Sequence, residues 1–147
     1  MPDDLPLGEL IQRAARAERS ALAQLLAPHG LHPGQDAVLR LLVARPGMRQ
    51  AELARALHLE APTVSRMLNR MERAGLVERR ADRHDGRVIR VVATPRAQLL
   101  DAVVRRAALE VEGILDSALG EAGTEALRTS LAAATQALTA SSARRPG

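Results

Sequence analysis

Six side chains between positions 63 and 73 could do chemistry together: Thr63, Ser65, Arg66, Asn69, Arg70 and Arg73. On a helix whose Val64, Met67, Leu68 and Met71 point inward, these six are left facing outward. Hydroxyl, carboxamide and guanidinium groups bond to base edges in a major groove and to phosphate oxygens. Taken alone, the same six also describe a solvated, arginine-rich helix face. The segment that follows favours the first reading. Ala81-Asp82-Arg83-His84-Asp85-Gly86-Arg87 is polar and carries a turn-forming Asp-Gly. It lies between Leu76–Arg80 and Val88–Val92, two runs with strand character. A two-stranded ribbon with a basic tip is predicted, its Arg83 and Arg87 able to reach a narrow minor groove. The His84-Asp85 pair could be mistaken for half of a metal-dependent hydrolase centre. Such a centre needs further His and Asp ligands in a pocket, whereas this pair falls in an exposed turn. With no nucleophile and base paired elsewhere, no enzyme and no cofactor are expected.

The elements that must hold these groups follow from hydrophobic spacing. A helix over about Leu7–Leu26 carries Leu7, Leu10, Ile11, Ala14, Leu22 and Leu25 near one stripe, and His29 to Gly34 break it. Further helices are expected over Gln35–Ala44, stopped by Pro46-Gly47, and over Gln50–Leu57. The helix with the outward polar groups starts beside Pro62, a favoured first-turn residue, and ends at Ala74-Gly75. Gln50 to Asn69 has helix-turn-helix spacing, with Ala54 small where two helices cross and Leu57 and Leu59 bracketing the turn. After the ribbon, Thr94-Pro95 reads as N-cap and first residue of a long helix to about Leu119. Gly120 stops it, and a last helix is expected over about Thr124–Ala140. Residues 141–147 read as a disordered tail. The boundaries expected are therefore 1–32 for an N-terminal association helix, 33–94 for the central unit, and 95–140 for C-terminal association helices. The three flanking amphipathic helices bear more apolar stripe than the central unit can cover, so self-association is expected.

Bulk properties agree. The chain has 147 residues with 46% apolar side chains but no Phe, Tyr or Trp, which favours an Ala- and Leu-rich helical core. Residues 49–96 carry eleven Arg against six acids, a net +5, while the remainder sums to −1. A basic middle between near-neutral flanks suits a polyanion. All 21 cationic side chains are arginine, with forked donors that suit phosphates and guanine edges. Without Phe, Tyr or Trp the chain lacks the usual rings on which unstacked bases lie, which disfavours RNA. The absence of Cys excludes disulfides and thiolate metal sites. The N-terminus is acidic where a signal peptide is basic, and no apolar run approaches the roughly 20 residues of a membrane span. A soluble cytoplasmic protein is expected, with no membrane partner.

Three stretches together resemble the MarR family (multiple antibiotic resistance regulators): Gln50-Ala51-Glu52-Leu53-Ala54, Ala61-Pro62-Thr63-Val64-Ser65-Arg66-Met67-Leu68, and Met71-Glu72-Arg73-Ala74-Gly75-Leu76-Val77-Glu78-Arg79. The family's wing pattern Asp-x-Arg-x-x-Arg falls on Asp85, Arg87 and Arg90. The similarity is close from about Gln35 to Thr94, and beyond it rests on element order and amphipathicity. Two departures stand out: His58 where helix-turn-helix turns often carry Gly, and Ala93-Thr94-Pro95 where the family usually has Leu-Thr followed by Gly. The resemblance implies a mainly α fold with a small β-wing, a winged helix-turn-helix domain plus a helical dimerisation region from both termini. It implies a transcription regulator that binds double-stranded DNA as a homodimer on a pseudo-palindromic operator. Arg87 would sit at the wing tip on DNA, oriented by Asp85 through a charge-assisted bond, with Arg90 more structural. Repression tuned by a small molecule is implied too, with Arg13, Arg16, His29, His32 and Gln35 as the neighbourhood of that effector. His29 and His32 are also compatible with a plain helix junction or, less well, with a His-x-x-His metal site. The rival to DNA binding is a winged helix used only for protein contacts or dimerisation.

Overall fold

A computed structural model describes residues 4–144. The chain divides into two compact units between Ala108 and Leu109. In the first, α1 (Leu7–Leu26) and a 3₁₀ turn (Ala27–His29) precede α2 (Gln35–Ala44), β1 (Met48–Arg49), α3 (Gln50–Leu57) and α4 (Ala61–Arg73). Strands β2 (Val77–Ala81) and β3 (Ile89–Ala93) follow, then α5 (Pro95–Leu99) and the beginning of α6 (Asp101–Ala143).

Side-chain hydrogen bonds mark the starts of α2, α3 and α5. At α2 the Asp36 carboxylate accepts from Gly34 N–H at 2.8 Å, and Gln35 Oε1 accepts from His32 N–H at 3.1 Å. Glu52 accepts from Arg49 N–H at 2.7 Å at the start of α3. Thr94 caps α5 by accepting from Ala97 N–H at 3.2 Å, with Pro95 behind it, as the Thr-Pro pair predicts. Buried Leu26, Leu31, Val38, Leu39, Leu42, Leu53, Val64, Leu68, Met71, Val77 and Val91 form an aliphatic core without a single ring.

The sheet is antiparallel in the order β1-β3-β2, with Val77 opposite Ala93 and Arg80 opposite Arg90. The ribbon expected from residues 76–80 and 88–92 is present, shifted by one residue. Its third strand was not anticipated: β1 has two residues, with Met48 opposite Val91 and Arg49 opposite Arg90. Two residues are too few to show alternation.

The turn between α3 and α4 places His58 in the left-handed region, φ 52° and ψ 42°, where other such turns use Gly. A Cβ in that region is strained, partly offset by the smaller unfolded-state entropy of a non-glycine residue. His58→Gly is therefore expected to stabilise the fold by about 0.5–1 kcal/mol, read from the urea midpoint. A lower midpoint would mean that the imidazole makes a contact worth more than the strain.

The long helix expected from Thr94 is interrupted. Leu100 N–H donates to Ala97 O at 3.0 Å, a tighter turn that separates α5 from α6. Within α6, Gly120 (φ 74°, ψ 160°) breaks the helix in a conformation other residues avoid. The break is one residue wide, so helix resumes before the expected Thr124. It then runs to Ala143, which corrects the expectation of a tail from Ser141; residues 145–147 lie outside the described residues.

Much of the predicted apolar stripe is uncovered in the single chain. Leu7 is 71% exposed at the start of α1, where only Leu22 and Leu26 are buried. In the second unit Ile114, Leu115, Leu119, Leu127, Leu131 and Leu138 are all exposed.

Candidate nucleic-acid interface

Helix α4 is amphipathic because its apolar residues recur at three- and four-residue spacing. Val64, Leu68 and Met71 are buried, which turns the opposite side outward. Arg66, Asn69, Arg70 and Arg73 are exposed on it, with Thr63 and Ser65 half-buried at its edge. Among the described residues, Arg66, Arg70 and Arg73 have no ion-pair partner, nor have Arg83 and Arg87 in the β2–β3 turn. This clustering of unneutralised guanidinium groups raises the local positive potential.

Two ion pairs hold the scaffold under these groups, and neither was anticipated. Arg79, on β2, donates to Glu72 Oε2 at 2.7 Å and bonds the chain of α4 again at Ser65 O, 3.5 Å away. It fastens α4 to the sheet. Asp82 organises the wing. Its Oδ1 accepts from the N–H groups of His84 (2.8 Å) and Asp85 (3.1 Å), while Oδ2 pairs with Arg90. Arg90 also donates to Gly47 O at 2.9 Å, tying the wing to the turn before β1. The Arg90 bond, and then the two backbone donors, hold the Asp82 carboxyl well below the usual carboxylate range. A carboxyl shifted this way stabilises above its unfolded pKa, about 3.9, and loses that contribution only as pH falls through the lower folded value. The wing brace is thus intact at neutral and mildly acid pH.

The orienting role expected of Asp85 needs correction. Its carboxylate accepts from the backbone N–H of Arg87 at 3.0 Å and forms no bond to the guanidinium. Asp85 shapes the turn, and the exposed Arg87 guanidinium has no ion-pair partner among the described residues. The signal for Asp82 was present as an Asp opening a polar turn, a position where side-chain-to-backbone bonds are common.

Of the five residues of the suspected effector neighbourhood, two, His32 and Gln35, line a common cavity. Exposed Arg13 pairs with Glu9 at 2.7 Å, and Arg16 and His29 are exposed. The cavity of His32 and Gln35 measures about 530 Å³, and its far wall is α4 itself, through Thr63, Arg66, Met67 and Arg70. Sequence spacing could not show that the loop before α2 faces the reading helix.

Known proteins share this arrangement. A model of the MarR family matches residues 29–88. The HTH-type transcriptional repressor Rv2887 of Mycobacterium tuberculosis (strain H37Rv) is 35% identical over 111 residues, covering 73% of this chain and 80% of that protein. The chain belongs to the MarR family. As a MarR protein it is a DNA-binding transcription regulator and not an enzyme. The repressor CouR, solved bound to a 23-mer DNA duplex, superposes with a TM-score of 0.81 at 30% identity, over 88% of this chain and 92% of that one. MepR of S. aureus, solved as a DNA complex, gives 0.83 at 25% identity, over 91% and 99%. The MarR winged helix-turn-helix is therefore the fold here, mainly helical with a small antiparallel wing, and no described helix is long and apolar enough to cross a membrane.

Proposed function

We propose that this protein is a ligand-responsive repressor that binds a pseudo-palindromic operator as a homodimer in the cytoplasm. The observation that carries the reading is the set of unpaired arginines shared by the outer face of α4 and the wing turn. In the proposed complex α4 lies in the major groove, where Arg66 and Asn69, with Thr63 and Ser65, discriminate bases. Arg70, Arg73 and Arg83 anchor phosphates, and Arg87 reaches the minor groove from the wing. Asp82, Asp85 and Arg90 support the wing from behind.

Two kinds of support bear on the dimer and the effector. The exposed leucines of α1 and α6 need cover that one chain does not provide, and a symmetric pair would space two reading helices for half-sites about 10 base pairs apart. CouR has also been solved bound to p-coumaroyl-CoA, at 30% identity and a TM-score of 0.80. An effector of this protein would occupy the cavity between His32, Gln35 and the side of α4 that carries Thr63, Arg66 and Arg70, favouring one placement of that helix over another.

The test is a salt titration of binding to the DNA flanking the protein's own gene and to an unrelated duplex. Steep weakening with ionic strength supports the regulator, whereas indifference to either duplex in dilute buffer leaves a protein-contact module. Arg87→Ala is expected to weaken both duplexes by a similar factor and to lower the slope of log K against log salt by about one. A loss confined to the operator would assign Arg87 to base recognition instead.

A further inference from the structure

Three more arginines, Arg45, Arg49 and Arg55, are exposed and have no ion-pair partner among the described residues. They come from different elements. Arg45 is the C-cap of α2, Arg49 belongs to β1, and Arg55 lies on α3. The Pro46-Gly47 turn folds the chain back, and Gly47 N–H donates to Val91 O at 3.1 Å. The result is an open hollow of about 540 Å³ lined by Arg45, Met48, Glu52, Arg55 and Arg90, with Arg49 adjoining it through the bond from its N–H to Glu52. Arg90 is already occupied by Asp82 and Gly47.

The hollow holds one carboxylate, Glu52, and that group is committed to the Arg49 N–H. This bond comes first in holding the Glu52 carboxyl below its ordinary range, and the charges of Arg49, Arg90 and Arg55 add to it, so the local field is positive. The hollow is too open to enclose a small molecule, but it is well formed for a surface-following polyanion. It also borders both DNA-directed elements: α3 packs on α4, and β1 pairs with β3 of the wing. In the proposed complex, with α4 in one groove and the wing in the next, the phosphates of the intervening strand would pass this side of the domain.

We propose that Arg45, Arg49 and Arg55 clamp backbone phosphates of that strand, a third contact surface beside the reading helix and the wing. The proposal rests on the DNA-binding reading above. Its test is a salt titration of the full-length protein with Arg45→Gln/Arg55→Gln, on the operator and on an unrelated duplex, beside wild type and Arg19→Gln on α1. Glutamine keeps most of the side-chain length and removes only the charge. The double variant should lower the salt slope by about two and weaken both duplexes alike, by roughly tenfold or more at physiological salt, while Arg19→Gln matches wild type. Glu52→Gln should do the reverse, keeping an acceptor for the Arg49 N–H while deleting the carboxylate charge, and bind both duplexes about two- to fivefold tighter. Wild-type slope and affinity in a folded double variant, or a loss on the operator alone, would overturn the clamp and leave DNA binding itself intact. If the double variant does not fold, unchanged or weaker binding by Glu52→Gln overturns it. Failure of wild type to bind any duplex would instead remove the reading on which the clamp rests.

Discussion

Leu68→Ala is expected to lower the unfolding free energy by about 2–5 kcal/mol, to be read from urea denaturation followed by circular dichroism. Leu68 is completely buried, on the inner side of α4 between Val64 and Met71. Truncating it removes the transfer energy of three carbons and leaves a space that nearby helices can only partly close. No Phe, Tyr or Trp ring exists anywhere in the chain to swing into that space. A domain of this size has roughly 5–15 kcal/mol of net stability, so the loss is a large share of the total. DNA binding should fall in step with the folded fraction and recover on cooling. A change below about 1 kcal/mol would mean that α4 is held mainly by its ion pair to Arg79, and the account of the core would be wrong.

The second large effect is on recognition. Arg66→Ala should cost about 1–3 kcal/mol of operator affinity and flatten base preference at one position of each half-site. Arg66 is exposed on the outward side of α4 with no partner among the described residues, so its fork is available without breaking an existing bond. Truncation leaves no buried charge behind, and the fold should melt as wild type does. A panel of duplexes substituted at each half-site position provides the measurement. Equal losses on operator and random DNA would refute the division between base-reading Arg66 and phosphate-anchoring Arg70, Arg73 and Arg83.

Much of the scaffold was readable in the amino acids because strong local signals agreed with one another. The bounds of α1, α2 and α3 coincide with those expected, since Pro46-Gly47 and the leucine spacing act within a single helix. The Thr94-Pro95 start of α5 was equally local. What escaped was set by contacts far apart in the chain. Strand β1 exists only because β3 pairs with it, and the Arg79 to Glu72 and Arg90 to Gly47 bonds join separate elements. Asp85 was given a role by pattern, but distance decides which of two neighbouring aspartates meets a guanidinium, and that one is Asp82. The outward arginines of α4 were legible from helical phase alone. The facing of His32 and Gln35 onto that helix was not, because nothing in their spacing encodes the path of the loop.

The end of α4 is gripped in an unusual way. Thr94 Oγ1 donates to Gly75 O at 2.6 Å, and Arg96 donates to Ala74 O at 2.8 Å, while Thr94 also receives the Ala97 N–H. The last carbonyls after the reading helix are thus bolted to the first turn of α5. A tilt of α5 must drag the far end of α4 with it, so the two behave as arms of one crank. Movement at the start of α5 is therefore expected to be felt at the end of α4 through these bonds, and at the base of the wing through the bond from Thr94 N–H to Leu76 O.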